Sequence, residues 1–235
     1  MDFYSRTELL LGGEAMEKLK NSHVAVFGIG GVGGYVCEAL ARSGVGTLTL
    51  VDNDTVSVTN INRQIIALQS TVGMLKTDAA EARLKDINPD IKIIKKNCFY
   101  LPETADEFSL GEYDYIVDAV DTVTAKLSLA LNAQTAGTPI ISSMGTGNKL
   151  DASMLRVSDI FDTRACPLAR VMRKECKARG IRALKCVYSE EDALTPLESG
   201  ETKGTQNRPV PGSTAFVPGA AGLIIAGEVI KDLIK

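Results

Sequence analysis

A glycine-rich turn between two apolar segments is the feature of this sequence that most constrains its fold. Residues 24–27 are apolar and lead into the turn, and a helix-compatible segment at 35–42 follows it. The turn contains Gly28, Gly30, Gly31 and Gly33. A second apolar segment, 47–51, is followed by Asp52. In such a unit, backbone amides can approach a phosphate and the acidic residue can hold a ribose, so the sequence predicts a nucleotide site.

Strand-like and helix-like segments alternate through the first 150 residues. Apolar runs predict strands at 24–27, 47–51, 91–95, 115–118 and 139–142. Helices are predicted between them at 35–42, 76–86 and 126–135. This alternation predicts an α/β fold of Rossmann type, with a largely parallel sheet flanked by helices. The loops that follow the strands should meet at one edge of the sheet, where ligands bind in this architecture.

The pattern changes after this first half. The later segments predict a strand at 153–157, a basic helix at 168–179, a strand at 183–188 and a mobile loop at 197–212. Before the first strand, residues 5–20 predict a helix broken at Gly12 and Gly13. We interpret the chain of 235 residues as one domain, with a nucleotide-binding half at 1–150 and a half for substrate and dimer contacts at 151–235.

Composition and charge exclude several classes of protein. The formal net charge of −3 gives no general attraction to nucleic acid, so binding of a polyanion must rest on a local patch. Five cysteines without a Cys-x-x-Cys pair argue against zinc, and an odd number of cysteines without a signal peptide predicts a cytoplasmic protein. The single histidine, His23, directly precedes a strand, and we expect it to be structural. The apolar segment 216–230 contains Pro218 and Glu228, so we expect a buried or dimer-facing helix and no membrane association.

Polar and charged residues downstream of the turn narrow the kind of nucleotide. They are Asp54, Asn60, Arg63, Gln64, Lys76, Asp118 and Asp121. Arg63 and Lys76 would neutralise phosphate charge during a reaction, although either one alone would more often be a solvated surface cation. A carboxylate at Asp118 or Asp121 can hold Mg²⁺ against phosphate oxygens. NAD does not require such a set but a reacting triphosphate does, so we expect ATP with Mg²⁺.

The glycine turn and these polar residues together resemble the ubiquitin-activating-enzyme superfamily of the ThiF type, whose bacterial members include enzymes that adenylate sulfur-carrier proteins. The resemblance implies that Asp52 binds the ribose. It implies three residues that contact the phosphates, which are Asn60, Arg63 and Lys76. It also implies that Asp121 is associated with Mg²⁺ and that Arg6 reaches the nucleotide of the partner subunit in a homodimer. Arg6 by itself would be an ordinary surface arginine.

The second half of the chain narrows the resemblance to tRNA threonylcarbamoyladenosine dehydratases. The similar segments are 159–170, the basic helix after it, and 187–191. Those enzymes use ATP to cyclise the threonylcarbamoyl group on the adenosine beside the anticodon, so the implied partner is tRNA that carries this group. A sulfur-transfer protein stays open as a second partner. Cys166 departs from the family, because many relatives have aspartate before the residue equivalent to Pro167, and a role for its thiol stays open.

A local concentration of positive charge supports the choice of tRNA. Residues 161–185 carry eight basic and two acidic side chains, a local charge of +6. Such segregation is typical of a surface that binds a phosphate backbone. We expect the tRNA contacts to be made by Arg164, Arg170, Arg173, Lys174, Lys177 and Arg179. The alternative is a helix face that is merely solvated.

Three other functions stay open at this point. Adenylation of a sulfur-carrier protein would be expected with zinc-binding cysteine pairs, which this chain lacks, as do some relatives. An NAD-dependent oxidoreductase would leave Arg63, Lys76 and Asp121 without a role. The third alternative is a non-catalytic tRNA-binding protein that keeps a nucleotide pocket. Pyrophosphate release with modified tRNA, with carrier protein or with neither separates these functions.

Overall fold

The computed structural model describes residues 3–197, 202–203 and 208–235. A seven-stranded sheet lies at its centre. The strands are β1 (His23–Phe27), β2 (Thr47–Val51), β3 (Lys92–Lys96), β4 (Tyr115–Asp118), β5 (Ile140–Ser143), β6 (Leu155–Asp159) and β7 (Lys185–Ser189). Their order is β3-β2-β1-β4-β5-β7-β6, and every neighbouring pair is parallel except β6 with β7. The predicted fold class is therefore confirmed, and the one sheet takes strands from both halves of the chain.

Seven α-helices flank this sheet in the part of the chain that the structure describes. They are α1 (Ser5–Leu11), α2 (Gly13–Asn21), α3 (Gly33–Arg42), α4 (Lys76–Ile87), α5 (Val123–Ala136), α6 (Pro167–Ala178) and α7 (Phe216–Leu233). The predicted break in the first helix lies at Gly12, whose φ of +86° favours glycine. None of the described helices is both long and apolar enough to cross a membrane.

The two faces of the sheet bury different side chains. In β1, Val24 and Val26 belong to the core under α2, α3, α4 and α7, whereas Ala25 and Phe27 belong to the core under α5. This alternation follows from the period of two in a strand. Helix α7, the predicted buried helix, packs closely on α3. The glycine at position 222 allows this approach, because a Cβ there would lie only 2.5 Å from the carbonyl oxygen of Val32.

Polar contacts fasten the end of α7 to the sheet. The hydroxyl of Tyr115 donates to Asp232 at 2.8 Å, and Lys185 contacts Asp232 at 2.9 Å and Glu228 at 2.6 Å. Partial burial opposes ionisation of Asp232, but hydrogen bonds from Lys235, Lys185 and Tyr115 outweigh it and lower its pKa to about 2. The carboxylate form of Asp232 therefore stabilises the folded state.

Two segments differ from the predictions. Strand β6 begins at Leu155, two residues later than predicted, because the Asp151 side chain caps a 3₁₀ turn at Ala152–Met154. In the predicted mobile loop, Thr202–Lys203 pairs antiparallel with Arg208–Pro209. The rest of that prediction falls largely on residues 198–201 and 204–207, which lie outside the described residues.

Candidate functional site

A cavity of about 530 Å³ opens beyond the carboxyl ends of β1, β2, β4 and β5. Most of the residues predicted for the nucleotide site line it, namely Gly28, Gly30, Gly31, Asp52, Asp54, Asn60, Arg63, Gln64, Lys76 and Asp121. The structure thus brings together residues that are spread over about 90 positions of the sequence. Three predicted residues are not part of the lining: Arg6, Gly33 and Asp118.

The glycines of the turn have two different roles. Gly28 has a φ of +89°, and a Cβ there would lie 2.7 Å from the carbonyl oxygen of Ala119. A Cβ at Gly33 would lie 1.8 Å from the carbonyl oxygen of Gly28, so Gly33 allows α3 to pack on β1 and does not face the cavity. At Gly30 and Gly31 an added Cβ would meet nothing closer than 3.4 Å. Both glycines also line the cavity, so the backbone at these two positions borders the space that a ligand would occupy.

Asp52 and Lys76 form a compact ionic group below the turn. The Ile29 amide donates to Asp52 Oδ2 at 2.7 Å, which ties the turn to the end of β2. Lys76 Nζ lies 2.6 Å from Asp54 Oδ2 and 3.8 Å from Asp52 Oδ2. Lys76 is buried at the start of α4, so its ammonium is held in the cavity wall before any ligand binds.

The segment around Arg63 carries polar groups into the cavity. The backbone amide of Ser57 donates to Asn60 Oδ1 at 3.0 Å, which leaves the side-chain nitrogen Nδ2 of Asn60 for other contacts. Arg63 Nη1 donates to the carbonyl oxygen of Thr59 at 2.8 Å. Gln64 is only 7% exposed, and its Oε1 has no hydrogen-bond partner. A buried acceptor without a partner at a cavity wall is suited to a donor from a ligand or a bound water.

Lys126 is a site residue that sequence reasoning missed. It is 1% exposed and lines the cavity. Its Nζ donates to both carboxylate oxygens of Asp118, at 3.2 and 3.1 Å, and to the carbonyl oxygen of Ser143 at 2.7 Å. The sequence offers one signal for Lys126, because it is the one charged residue in the sequence of α5.

The position of Asp118 differs from the predicted direct contact with the nucleotide. Asp118 is fully buried at the end of β4, behind the cavity wall. Besides Lys126, its carboxylate accepts a hydrogen bond from the Ser142 hydroxyl at 2.5 Å. Any contribution of Asp118 to nucleotide binding therefore goes through Lys126.

Asp121 is the exposed carboxylate of the lining that follows β4. Within the described residues, no group of three or more His, Cys, Asp or Glu side chains could hold a metal ion. A single carboxylate nevertheless fits Mg²⁺, which commonly takes one or two protein carboxylates and completes its shell with phosphate oxygens and water. The chemistry of the donor set thus suits a metal that arrives with a nucleotide.

Helix α1 lies apart from the cavity of its own chain. Arg6 is exposed, and none of the helix residues is buried. Leu9 and Leu10 on the same helix are 88% and 84% exposed. These two leucines form a small exposed apolar surface on the same helix as Arg6.

The basic segment, residues 161–185, has more hydrogen-bond and ion-pair partners within the protein than its sequence suggests. Arg173 donates to the carbonyl oxygen and the hydroxyl of Thr163, at 2.5 and 2.6 Å. Three other cations form ion pairs: Arg164 with Glu190, Arg179 with Glu175, and Lys185 with Glu228 and Asp232. Arg170, Lys174 and Lys177 are exposed and lie on one face of α6, and we call them the basic face.

The cysteines divide into buried and accessible ones. Cys166 is 3% exposed and packs with Cys176 and Cys186 in the core between α5 and α6. Its position does not offer a thiol to the cavity. Cys98 is partly exposed and lines the cavity, and burial raises the pKa of its thiol.

Comparison with known proteins extends these observations. The family described as the ThiF family matches residues 4–235. A tRNA threonylcarbamoyladenosine dehydratase of Bacillus subtilis is 43% identical over 240 residues, which cover 99% of this chain and 94% of the relative. A crystal structure of the Escherichia coli tRNA N6-threonylcarbamoyladenosine dehydratase in complex with ATP matches with a TM-score of 0.88 at 30% identity, covering 98% of this chain and 93% of that one. The molybdopterin-synthase adenylyltransferase of Escherichia coli is 36% identical over 196 residues, covering 83% of this chain and 74% of the relative. The resemblance predicted from the sequence is confirmed.

Proposed function

The chain belongs to the ThiF family, and on this basis we propose that it is an ATP-dependent tRNA threonylcarbamoyladenosine dehydratase. Relatives with that name align along nearly its whole length, and one of them has been solved with ATP. One observation carries the proposal: a single cavity joins a phosphate side, at the glycine turn, to an uncharged side. The uncharged side is formed by residues 143–147 together with Val210, Pro211 and Ser213.

The first chemical step would activate the threonyl carboxylate of the modified adenosine. This carboxylate attacks the α-phosphate of ATP, an acyl-adenylate forms, and pyrophosphate leaves. Arg63 and Lys76 would stabilise the negative charge that develops on the phosphates. Asn60 would donate to a phosphate oxygen and Asp52 would accept from the ribose. Asp121 would hold Mg²⁺, which would supply further positive charge to the phosphate oxygens.

The second step would close the ring. The carbamoyl group of the same substrate attacks the activated acyl carbon, AMP leaves with one carboxylate oxygen, and the carbamoyl group loses a proton. The net change is the loss of water. Because both reacting groups belong to one substrate, their effective concentration is high. No covalent intermediate with the enzyme is needed, which agrees with the burial of Cys166.

The basic face is the proposed docking surface for tRNA. Within the described residues, Arg170, Lys174 and Lys177 form no ion pair, so their charges are available to phosphates. Arg164 and Arg179 are exposed and could exchange their carboxylate partners for phosphates. Arg173 is not part of this surface, because its guanidinium donates to Thr163.

We propose further that the enzyme is a homodimer in which each site borrows Arg6 from the other chain. The exposed leucines of α1 support this arrangement. Inactive Arg6→Ala chains mixed with inactive Asp121→Ala chains should then regain part of the activity, because one site of a mixed dimer contains neither substitution. Absence of recovery after verified chain exchange would contradict the shared site.

The test of the reaction is pyrophosphate release from Mg·ATP with four additions. These are tRNA that carries threonylcarbamoyladenosine, the same tRNA without the modification, a sulfur-carrier protein with a free C-terminus, and buffer. The proposal expects release only with modified tRNA, together with a tRNA product lighter by one water. Release with the carrier protein alone would instead establish the second candidate, an adenylyltransferase, which the 36% identity to the molybdopterin-synthase enzyme favours.

A further inference from the structure

The uncharged side of the cavity has a wall that is fastened at two points. We call residues 210–213 the wall segment, since Val210, Pro211 and Ser213 line the cavity. At its middle, the Asn148 amide donates to the carbonyl oxygen of Gly212 at 2.8 Å, and the Gly212 amide donates to Asn148 Oδ1 at 2.7 Å. Asn148 has a φ of +58°, a backbone conformation that asparagine tolerates better than most residues.

The second fastening point joins the wall segment to the phosphate side. Asn62 Nδ2 donates to the carbonyl oxygen of Ser213 at 3.0 Å, across 151 positions of the sequence. Asn62 Oδ1 accepts from Arg63 Nη1, also at 3.0 Å. One side-chain amide therefore connects the candidate phosphate-binding guanidinium with the wall of the uncharged side. An amide is suited to this position because it donates and accepts at once, which neither a carboxylate nor an aliphatic side chain can do.

The bond from Arg63 to Asn62 is compatible with phosphate binding. It uses Nη1, which also donates to Thr59, and the guanidinium keeps its Nε–H and Nη2–H donors for a phosphate. A bound phosphate would immobilise the guanidinium, and the ordered guanidinium would hold Asn62 in place. Phosphate binding would then already have ordered Asn62, so ordering of the wall segment would require a smaller further loss of conformational entropy. Phosphate binding and ordering of the wall segment would therefore be cooperative.

From this arrangement we infer that Asn62 is a positioning residue that couples nucleotide binding at Arg63 to the ordering of the wall segment on the uncharged side. This inference deepens the proposed function and rests on it only in naming the acyl group as the occupant of that side. By linkage, an acyl substrate that contacts the ordered wall must also tighten the binding of ATP by the same factor.

Hydrogen–deuterium exchange of the wall segment tests the coupling with Mg·ATP alone. In the wild type, saturating Mg·ATP should slow exchange at the amides of Gly212 and Ser213 by about fivefold, the effect of stabilising one existing hydrogen bond, that from Asn62 to Ser213. Asn62→Ala should bind ATP yet show no such slowing. Asn148→Gly is the matched control, because it removes a bond to the same segment without touching Arg63. That variant should exchange faster throughout but keep the slowing by ATP.

A kinetic measurement supplies the second readout. At saturating ATP, Asn62→Ala should raise the KM for modified tRNA by about fivefold, and by linkage the KM for ATP at saturating tRNA should rise by the same factor. The Kd for ATP without tRNA should stay near the wild-type value. Two results would overturn the inference: a wild type whose wall segment does not respond to ATP, or an Asn62→Ala variant that responds as the wild type does. If the exchange results hold but modified tRNA causes no pyrophosphate release, the coupling stands and the proposed substrate is wrong.

Discussion

Replacing Lys126 with methionine should destabilise the protein far more than removing a typical surface lysine. Methionine keeps the approximate length of the side chain but removes the ammonium. Lys126 is 1% exposed and Asp118 is fully buried, so the substitution leaves a buried carboxylate without its counter-charge. The Ser142 hydroxyl at 2.5 Å would then be its nearest remaining donor. Loss of one partner from a buried ion pair costs about 3–5 kcal/mol.

The matched control is Lys95→Met on β3. Lys95 Nζ lies 2.7 Å from Asp78 and 2.6 Å from Glu81, so its pairs are shorter than the 3.1 Å pair of Lys126. Its side chain is nevertheless 32% exposed, and exposed pairs of this kind contribute at most about 1 kcal/mol. Burial and not distance should therefore decide which variant loses more stability.

Urea unfolding followed by circular dichroism measures both losses. A loss of about 4 kcal/mol is a large part of the 5–15 kcal/mol that holds a typical domain together, so Lys126→Met could fail to fold. The double variant Lys126→Met/Asp118→Asn keeps the test decisive, because it also removes the stranded charge and should recover about 2 kcal/mol relative to Lys126→Met. The reasoning is refuted if Lys126→Met unfolds like Lys95→Met, or if neutralising Asp118 restores nothing.

Three further outcomes follow from the structure. A thiol reagent should modify Cys98 before the four buried cysteines, and Mg·ATP should protect Cys98, because this residue lines the cavity. Peptide mapping identifies the modified cysteine, and modification of Cys166 first would contradict this expectation. Alanine at all three positions of the basic face should flatten the log–log salt dependence of tRNA binding by roughly 0.7–0.9 per lost phosphate contact, whereas Arg173→Ala should lower stability and leave the slope unchanged. The pKa of Asp232 is depressed to about 2, so the stability that this carboxylate provides is present above pH 4 and is lost as the pH falls toward 2; acid unfolding of wild type and Asp232→Asn should converge there.

The fold and the location of the site could be predicted because both follow from local patterns. The apolar runs of β1, β2 and β4 are buried on both faces, which is the pattern of a central parallel strand. The carboxyl ends of such strands meet at one edge, so the glycine turn and Asp121 had to come close together. Arg63 and Lys76 join them through the segments that follow β2.

Contacts between side chains from distant elements could not be predicted. Asp118 and Lys126 both stand in the sequence, but nothing local shows that α5 turns the lysine back onto the end of β4. For the same reason, the sequence of the basic segment overstates its net charge in the folded protein. Its neutralising acids Glu190, Glu228 and Asp232 lie outside the segment, and folding brings them to Arg164 and Lys185.

The charges around the cavity bear on how it would bind a triphosphate. Its described lining holds three cations, Arg63, Lys76 and Lys126, and three carboxylates, Asp52, Asp54 and Asp121, with Asp118 directly behind. The lining by itself is therefore neutral, the carboxylates outnumber the cations by one when Asp118 is included, and the first turn of α3 adds only about half a positive charge. We therefore propose that binding of a highly charged triphosphate draws on positive charge from outside the cavity, which Mg²⁺ and Arg6 of the partner chain would provide.

This charge balance predicts that the effect of Asp121→Asn on ATP affinity changes sign when Mg²⁺ is removed. With Mg²⁺ present, Asp121→Asn should weaken ATP binding and turnover, because the metal loses its protein ligand. With Mg²⁺ removed by a chelator, the same variant should bind ATP about fivefold more tightly than the wild type, since one repulsive charge is gone. Calorimetric titration of both proteins in both conditions measures the four affinities. Thr122→Ala is the control, because it removes the hydroxyl that donates to Asp121 Oδ1 at 3.4 Å but keeps the charge of Asp121, and it should show no reversal. Weaker binding by Asp121→Asn in both conditions would mean that Asp121 supports the site through structure and not through its charge.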